Sequence, residues 1–451
     1  MIHPIDYRYR VDKLADYLSP EAILRYQLRV EIAYITALHR LGLCSENVLQ
    51  EYIQAESNVQ LKRVTEIEAE LKHDVKAVVE ALKEQVSESA KPFCHLGLTS
   101  YDTNVNAYAL LIREVTNDLI IPALEKILSQ LIAQARKNIE IVQMGRTHGQ
   151  HAEPTTFGYL LANFIERLGR GLLRVKSASS AFRGKTGGAV GTKASLDLIA
   201  NSIKLEAETL ALLELTPVVA PSQIANQEEL TNFYGQLLLV LGTITDMAND
   251  FRQLQRTEIG EVYEQLSDNQ VGSSTMPQKK NPIGWENIVS HYKTTAPKLI
   301  TAYLNIISEH QRDLTDSAAN RYLLAEFLNT FLYCVNRATS LLERMEVDVV
   351  RMHENINSNN SFWLAEPAYI LLALQGVGNA HELVRTIAQK ARSKKQSFKD
   401  ALQESELFRK HLDSLQIAEK DVFEDITRYL GRAYESTEAV CDFWENVLKG
   451  E

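Results

Sequence analysis

Several stretches of this chain gather side chains that can hold anions or move protons. The densest is Gly272-Ser-Ser-Thr-Met-Pro-Gln-Lys-Lys-Asn-Pro282, with hydroxyls, two ammonium groups and an amide close together. Cations and donors of this kind can stabilise a carboxylate whose negative charge grows during a reaction. It is not a Walker loop, because the second glycine and the Lys-Ser/Thr ending are missing. Residue types alone do not separate it from a polar linker. A second stretch, Met144-Gly-Arg-Thr-His-Gly-Gln-His-Ala-Glu-Pro-Thr-Thr-Phe-Gly158, supplies two histidines, the side chain best matched to proton transfer near neutral pH. His148 and His151 are close in sequence, but no HExxH pattern or neighbouring cysteine accompanies them. Acid–base work is therefore favoured over metal binding.

Three further segments carry polar chemistry. Lys72-His-Asp-Val-Lys-Ala77 is expected in a helix, where a His-Asp pair is by itself an ordinary solvated pair. Leu98-Thr-Ser-Tyr-Asp102 has the composition of a helix N-cap, and a helix N-terminus is also a good seat for a carboxylate. In Arg312-Asp-Leu-Thr-Asp-Ser-Ala-Ala-Asn-Arg321, Ser317 and Arg321 fall on one helix face. Arg8, in Tyr7-Arg-Tyr9 near the start, could complete a clamp for a phosphate.

Long helices must position these residues. The 20 glycines and 11 prolines in 451 residues are well below average usage of roughly 7% and 5%, which argues against a loop-rich β protein. Leu230, Tyr234, Leu237, Leu241, Ile244, Ala248 and Phe251 recur at steps of four and three, the spacing of a helix seam. Leu238, Leu239 and Val240 add apolar surface on its other faces, so this helix is expected to be packed on several sides, between subunits. The segment from Ala109 to Leu131 has the same period, with a kink expected at Pro122. No clear strand alternation is visible. Soft boundaries near residues 98 and 346 divide the chain into 1–98, 99–346 and 347–451. A net charge of −10 without a basic tract speaks against nucleic acid or an anionic membrane as partner. Four scattered cysteines, no CxxC and no basic-then-apolar leader suit a reducing cytoplasm. The most apolar run, around Leu237 to Leu241, is too short and too polar to span a bilayer.

Gly272-Ser-Ser-x-Met-Pro-x-Lys-x-Asn-Pro282 resembles the signature of the fumarase/aspartase superfamily. The resemblance implies an all-α, three-domain fold with a central long-helix bundle. It also implies a homotetramer whose packed helices form its core and whose sites are shared between subunits. Its chemistry is removal of a proton beside a carboxylate, followed by cleavage of a C–N or C–O bond and release of fumarate. By resemblance Ser273 is the base, and Lys279 and Asn281 hold the substrate carboxylate, with Glu286 beyond them. The Met144–Gly158 stretch is similar to the adenylosuccinate lyase branch, which makes His148 the acid toward the departing amine and sets Thr147 at the carboxylate. By resemblance His73 joins the catalytic residues and also contacts substrate, and Asp74, Thr99, Ser100, Gln223 and Glu286 match substrate-binding positions of that branch. Arg8, Tyr9, Arg312, Ser317 and Arg321 match its phosphate-binding ones. The implied substrates are adenylosuccinate and the succinyl-carboxamide imidazole ribotide, with no organic cofactor and no metal. The likeness extends through Leu364-Ala-Glu-Pro367. Gln278 departs from that branch, and Met-Pro-Gln-Lys-Lys-Asn-Pro is closer to argininosuccinate lyase, which stands as the alternative. Asn226-Gln-Glu-Glu229 also lacks the branch's usual Arg-Asp or His-Asp.

Overall fold

A computed structural model describes residues 3–225, 227–265, 275–276, 278–414, 416 and 420–450. Helices make up most of its regular structure. The chain forms two compact units, each assembled from three stretches of sequence.

The first unit comprises residues 1–124, 171–242 and 290–336. Its N-terminal core packs the helices Pro20–Arg40, Glu46–Glu56, Leu61–Leu71 and Asp74–Lys83 around Tyr34, Leu38, Tyr52, Val78 and Leu82. Ser19 and Ser45 cap the first two helices by accepting from Ala22 N and Val48 N. Lys72 then takes a left-handed backbone (φ 54°) and ends the third helix. His73 is the N-cap of the fourth, so the His73-Asp74 pair lies at a junction between helices and not inside one as expected.

Thr99 opens the Ser100–Val115 helix through a reciprocal capping box with Asp102. This helix runs into a π turn at Thr116–Ile120, immediately before the helix Ile121–Lys137. Pro122, the expected kink, has no N–H to continue a regular ladder, and the opened turn precedes it. The seam of the Glu228–Leu254 helix is as the spacing led us to expect from Tyr234 onward, while Leu230 is only half-buried. Tyr234, Leu237, Leu241, Ile244, Ala248 and Phe251 are almost wholly buried, whereas Leu239 is 56% exposed.

The second unit comprises residues 125–170, 243–289 and 337–451. Phe251 packs against Trp285 (centroids 5.1 Å apart) and Phe157 (6.4 Å). A separate cluster around Leu364, Val384, Phe398 and Phe408 forms its C-terminal core. This unit also contains strands that periodicity does not reveal. Strand β1 (Val142–Thr147) pairs antiparallel with β2 (Gln150–Thr156), and β3 (Val262–Glu264) pairs with β4 (Met345–Val347). Along β1 three buried residues precede three less buried ones, so the alternation of a half-buried strand is missing. Among the described residues no helix is long and apolar enough to cross a membrane.

Candidate active site

In the first unit the structure brings four of the candidates, His73, Asp74, Ser100 and Arg321, into direct contact. His73 Nδ1 accepts from Lys76 N at 3.4 Å. Nε2 lies 3.5 Å from Ser100 Oγ. Asp74 Oδ1 accepts from Val75 N (2.8 Å), and its Oδ2 takes Arg321 Nη2 at 3.1 Å. Thr99 is held from behind, because its N–H donates to Asp102 Oδ2 at 2.9 Å. Asp102 is fully buried, and it also accepts from Gly187 N (2.7 Å), Gly188 N (3.0 Å) and the buried Lys185 ammonium. Burial holds the Lys185 ammonium below its ordinary range, and Asp102 opposes this only in part.

Arg312 is the most constrained cation of this group. Its side chain is 7% exposed, and its guanidinium lies over the ring of Tyr101, 3.2 Å from the centroid. Neither Nη atom makes a hydrogen bond among the described residues. The Asp316 carboxylate stands 4.0 Å from Nη2 and is itself engaged by Asn320 Nδ2 at 3.1 Å. Gln223 is fastened to the same stretch, with its N–H on Gln311 O (3.2 Å) and its Nε2 on Ala189 O (2.9 Å). Ser317 begins the Ser317–Glu343 helix, with Arg321 one turn further on. Arg8 is exposed and lies 5.9 Å from the centroid of the Tyr9 ring. Tyr9 is anchored separately, through its carbonyl to Asn329 Nδ2 (2.9 Å) and its ring edge to His291 (4.5 Å).

In the second unit His148 occupies the tip of the β1–β2 hairpin. Thr147 pairs with Gln150, which leaves His148-Gly149 as a two-residue turn with φ of 54° and 72°. Positive φ at both positions is the type I′ arrangement that matches strand twist, and histidine tolerates the left-handed region better than most residues. Thr147 and His148 are both exposed. Beneath them Arg146 forks onto the fully buried Glu261, with Nη2 2.7 Å from Oε1 and Nη1 3.1 Å from Oε2. Gln143 Nε2 and Asn355 Nδ2 each add a 2.7 Å bond to that carboxylate. His151 stands opposite Arg146 in the hairpin. Burial first, and then Arg146, push its pKa down and favour a neutral ring.

Lys279 is exposed and donates its N–H to Met276 O at 3.0 Å. Asn281 precedes the Ile283–Thr295 helix and accepts at its carbonyl from Ile283 N (2.9 Å). Glu286, in the first turn of that helix, lies 3.9 Å from Arg252 Nε. Ser273 lies outside the described residues. Residue spacing did not point to Tyr101, which lies under Arg312, nor to Glu261, Lys185 and Gln255, which bond Arg146, Asp102 and Lys280, chain neighbours of candidate residues. The only local signal is the run Glu258-Ile-Gly-Glu-Val-Tyr-Glu264 ahead of the signature, where two of three glutamates prove buried.

Residues 6–293 match a family described as Lyase, and residues 308–421 match one described as Adenylosuccinate lyase C-terminal. Curated adenylosuccinate lyases from Pyrococcus abyssi (37% identical, 99% of this chain and 98% of the relative) and Archaeoglobus fulgidus (31%, all of both chains) align along almost the full length. One from Bacillus subtilis is 31% identical over 91% of this chain and 94% of its own. Among solved structures, a 3-carboxy-cis,cis-muconate lactonizing enzyme from Pseudomonas putida superposes with a TM-score of 0.86 at 26% identity, covering 98% of this chain and 99% of that one. A fumarate lyase from Mesorhizobium sp. BNC1 superposes at 0.84 and 23% identity, over 96% and 98% of the two chains, and shares the fold. The helical architecture and the signature place the protein among the fumarase/aspartase superfamily lyases. Within that class, the chain belongs to the adenylosuccinate lyase family. These relatives favour that branch over the argininosuccinate one.

Proposed function

We infer that this enzyme is a C–N lyase that splits adenylosuccinate into AMP and fumarate, and that it acts in the same way on the succinyl-carboxamide imidazole ribotide of purine nucleotide synthesis. The observation that carries the nucleotide half of this reading is Arg312. A guanidinium that is almost fully buried, stacked on Tyr101 and without a hydrogen bond at either Nη among the described residues has lost its hydration and awaits an anion. A phosphate fits, with Arg321, Ser317, Arg8 and Tyr9 as its further ligands.

The elimination follows from charge. A base takes the proton from the succinyl carbon next to a carboxylate, and the electron pair left behind spreads onto that carboxylate. Lys279 and Asn281 hold it there, helped by Thr99, Ser100 and Thr147. The C–N bond then breaks, its electron pair goes to the purine nitrogen, and His148 supplies the proton. Ser273 is the base. Its hydroxyl becomes competent when neighbouring cations and N–H donors stabilise the alkoxide. His73, Asp74, Gln223 and Glu286 orient the substrate. His148 on an exposed turn is suited to reaching a substrate held elsewhere. The exposed Leu239 on a helix otherwise packed by its seam, together with Ile300, Tyr303 and Leu304 of the helix Lys298–Leu304 and Ile307 just after it, all more than half exposed, supports a homotetramer with sites built from several copies. The four free cysteines suit the cytoplasm. The three-part division at residues 98 and 346 belongs to the same proposal.

The test is direct. Purified protein is incubated separately with adenylosuccinate and argininosuccinate, and fumarate is measured. Release from the first alone is expected, and release from the second alone would overturn the assignment.

A further inference from the structure

We propose that Gln255 is a positioning residue for Lys279 and Asn281. It follows directly on the Glu228–Leu254 helix, whose ladder its own N–H extends to Phe251 O (3.0 Å), and it is 8% exposed. The two ends of its amide serve different partners. Oε1 accepts from Glu264 N at 3.0 Å, and Nε2 donates to Lys280 O at 3.1 Å. Lys280 is the residue between Lys279 and Asn281, so this bond fixes the backbone from which both side chains project.

Glu264 is fastened a second time. Its Oε2 accepts from Gly284 N at 2.7 Å, in the first turn of the Ile283–Thr295 helix. The packing there is tight, since a Cβ on Gly284 would come within 2.6 Å of Leu341 Cδ2 and 2.9 Å of Glu264 Oε1. One glutamine and one glutamate therefore join residue 264, ahead of the signature segment, to residue 280 within it and residue 284 just after it.

A neutral amide is the chemistry this position needs. A carboxylate at residue 255 would set a second acceptor against the Lys280 carbonyl, and a cation would compete with Lys279 for the substrate anion. Lys279 is exposed and long, so its ammonium is located by the peptide beneath it. The charge it answers is largest in the carbanionic transition state, so misplacement lowers the rate more than it weakens binding.

The inference rests on the elimination proposed above, and the test separates the two. Wild-type protein is first assayed for fumarate release from adenylosuccinate. Gln255→Glu and Gln255→Met are then compared with it, at temperatures below the melting midpoint of each. The first substitution keeps the acceptor and replaces the donor by an oxygen, and the second removes both without adding charge. Each is expected to lower kcat on the order of 10²-fold, the effect of about 1 Å of misplacement at a reacting group. The inhibition constant of AMP, which has no succinyl group to meet Lys279 or Asn281, should stay at the wild-type value. Should Gln255→Glu fail to fold, Gln255→Met decides alone. Unchanged kcat in Gln255→Met, or weakening of AMP in step with kcat, would overturn the positioning role. Absence of fumarate from wild type would overturn the elimination reading itself.

Discussion

Arg321 meets Asp74 across 247 residues of sequence, with Nη2 3.1 Å from Oδ2. Both side chains are substantially exposed, so the pair adds little to stability. Its significance is that a proposed phosphate ligand already has an anionic partner, which an arriving phosphate must outcompete. The buried Arg312 has no such hydrogen-bonded competitor among the described residues.

The first prediction follows from that contrast. Arg312→Met should raise KM for adenylosuccinate more than Arg321→Ala does, because it removes a donor that is already desolvated. A charged hydrogen bond worth about 1.5–3 kcal/mol corresponds to roughly ten- to a hundredfold in KM. Steady-state kinetics on both variants provides the check. Unaltered KM and kcat in both would rule out a phosphate at this place and favour a non-phosphorylated substrate.

The second prediction concerns Asp102 and Lys185, both without exposed side-chain surface. Removing one partner of a buried ion pair typically costs about 3–5 kcal/mol, because the other charge is left uncompensated. Lys185→Met should therefore lower the melting temperature sharply. Adding Asp102→Asn should recover only part of the loss, because it deletes the orphaned charge but turns an amide NH2 toward an N–H that Asp102 now accepts from. A single variant that melts together with wild type would show that the three backbone N–H groups on Asp102 suffice without the ammonium.

Features set by local pattern were legible in the sequence. The seam residues Tyr234, Leu237, Leu241, Ile244, Ala248 and Phe251 are buried because helical period acts within one segment. The Thr99–Asp102 cap likewise depends on neighbours only. The hairpin was not legible, since its turn is His-Gly and not the usual Asn-Gly, and its burial does not alternate. His73 looked helical because nothing in Leu71-Lys-His-Asp74 announces that Lys72 turns left-handed. The bracing bonds could not be read at all. Arg146 and Glu261 are 115 residues apart, and Lys185 and Asp102 are 83 apart, so no period or motif connects them.

The third prediction is a pH dependence of stability. Glu153, on β2, and Glu366 shift each other's titration in opposite directions. The hydrogen bond with Glu366 and burial raise the Glu153 carboxyl from 4.5 to about 7. The same bond lowers Glu366, which also accepts from Tyr429 Oη at 2.8 Å. A carboxyl raised in the folded state contributes stability that is present below its unfolded value and is lost as pH rises through its folded one. Glu366, shifted the other way, contributes above its unfolded value and loses that as pH falls. The pair is best with one proton, so stability from this source should decline between about pH 4.5 and 7. Melting curves across that range should show Glu153→Gln flatter than wild type. Parallel curves would mean that the two carboxyls do not shift each other's titration.

The fourth prediction separates the acid from the base. His148 sits at φ 54°, a conformation asparagine also accepts, so His148→Asn removes the titrating ring while keeping the turn. A positioned acid or base is worth about 10²- to 10⁴-fold in rate. His148→Asn and Ser273→Ala should each lower kcat by at least the smaller factor, with substrate binding still measurable. They should differ in heavy water. Carbanion formation needs the base and not the acid, so His148→Asn should still exchange the abstracted hydrogen of adenylosuccinate for deuterium while cleavage is slow. Ser273→Ala should lose exchange and cleavage together. Mass spectrometry of the recovered substrate reads both. Deuterium entering in Ser273→Ala but not in His148→Asn would reverse the two roles, making the hairpin histidine the residue that takes the proton and not the one that gives it.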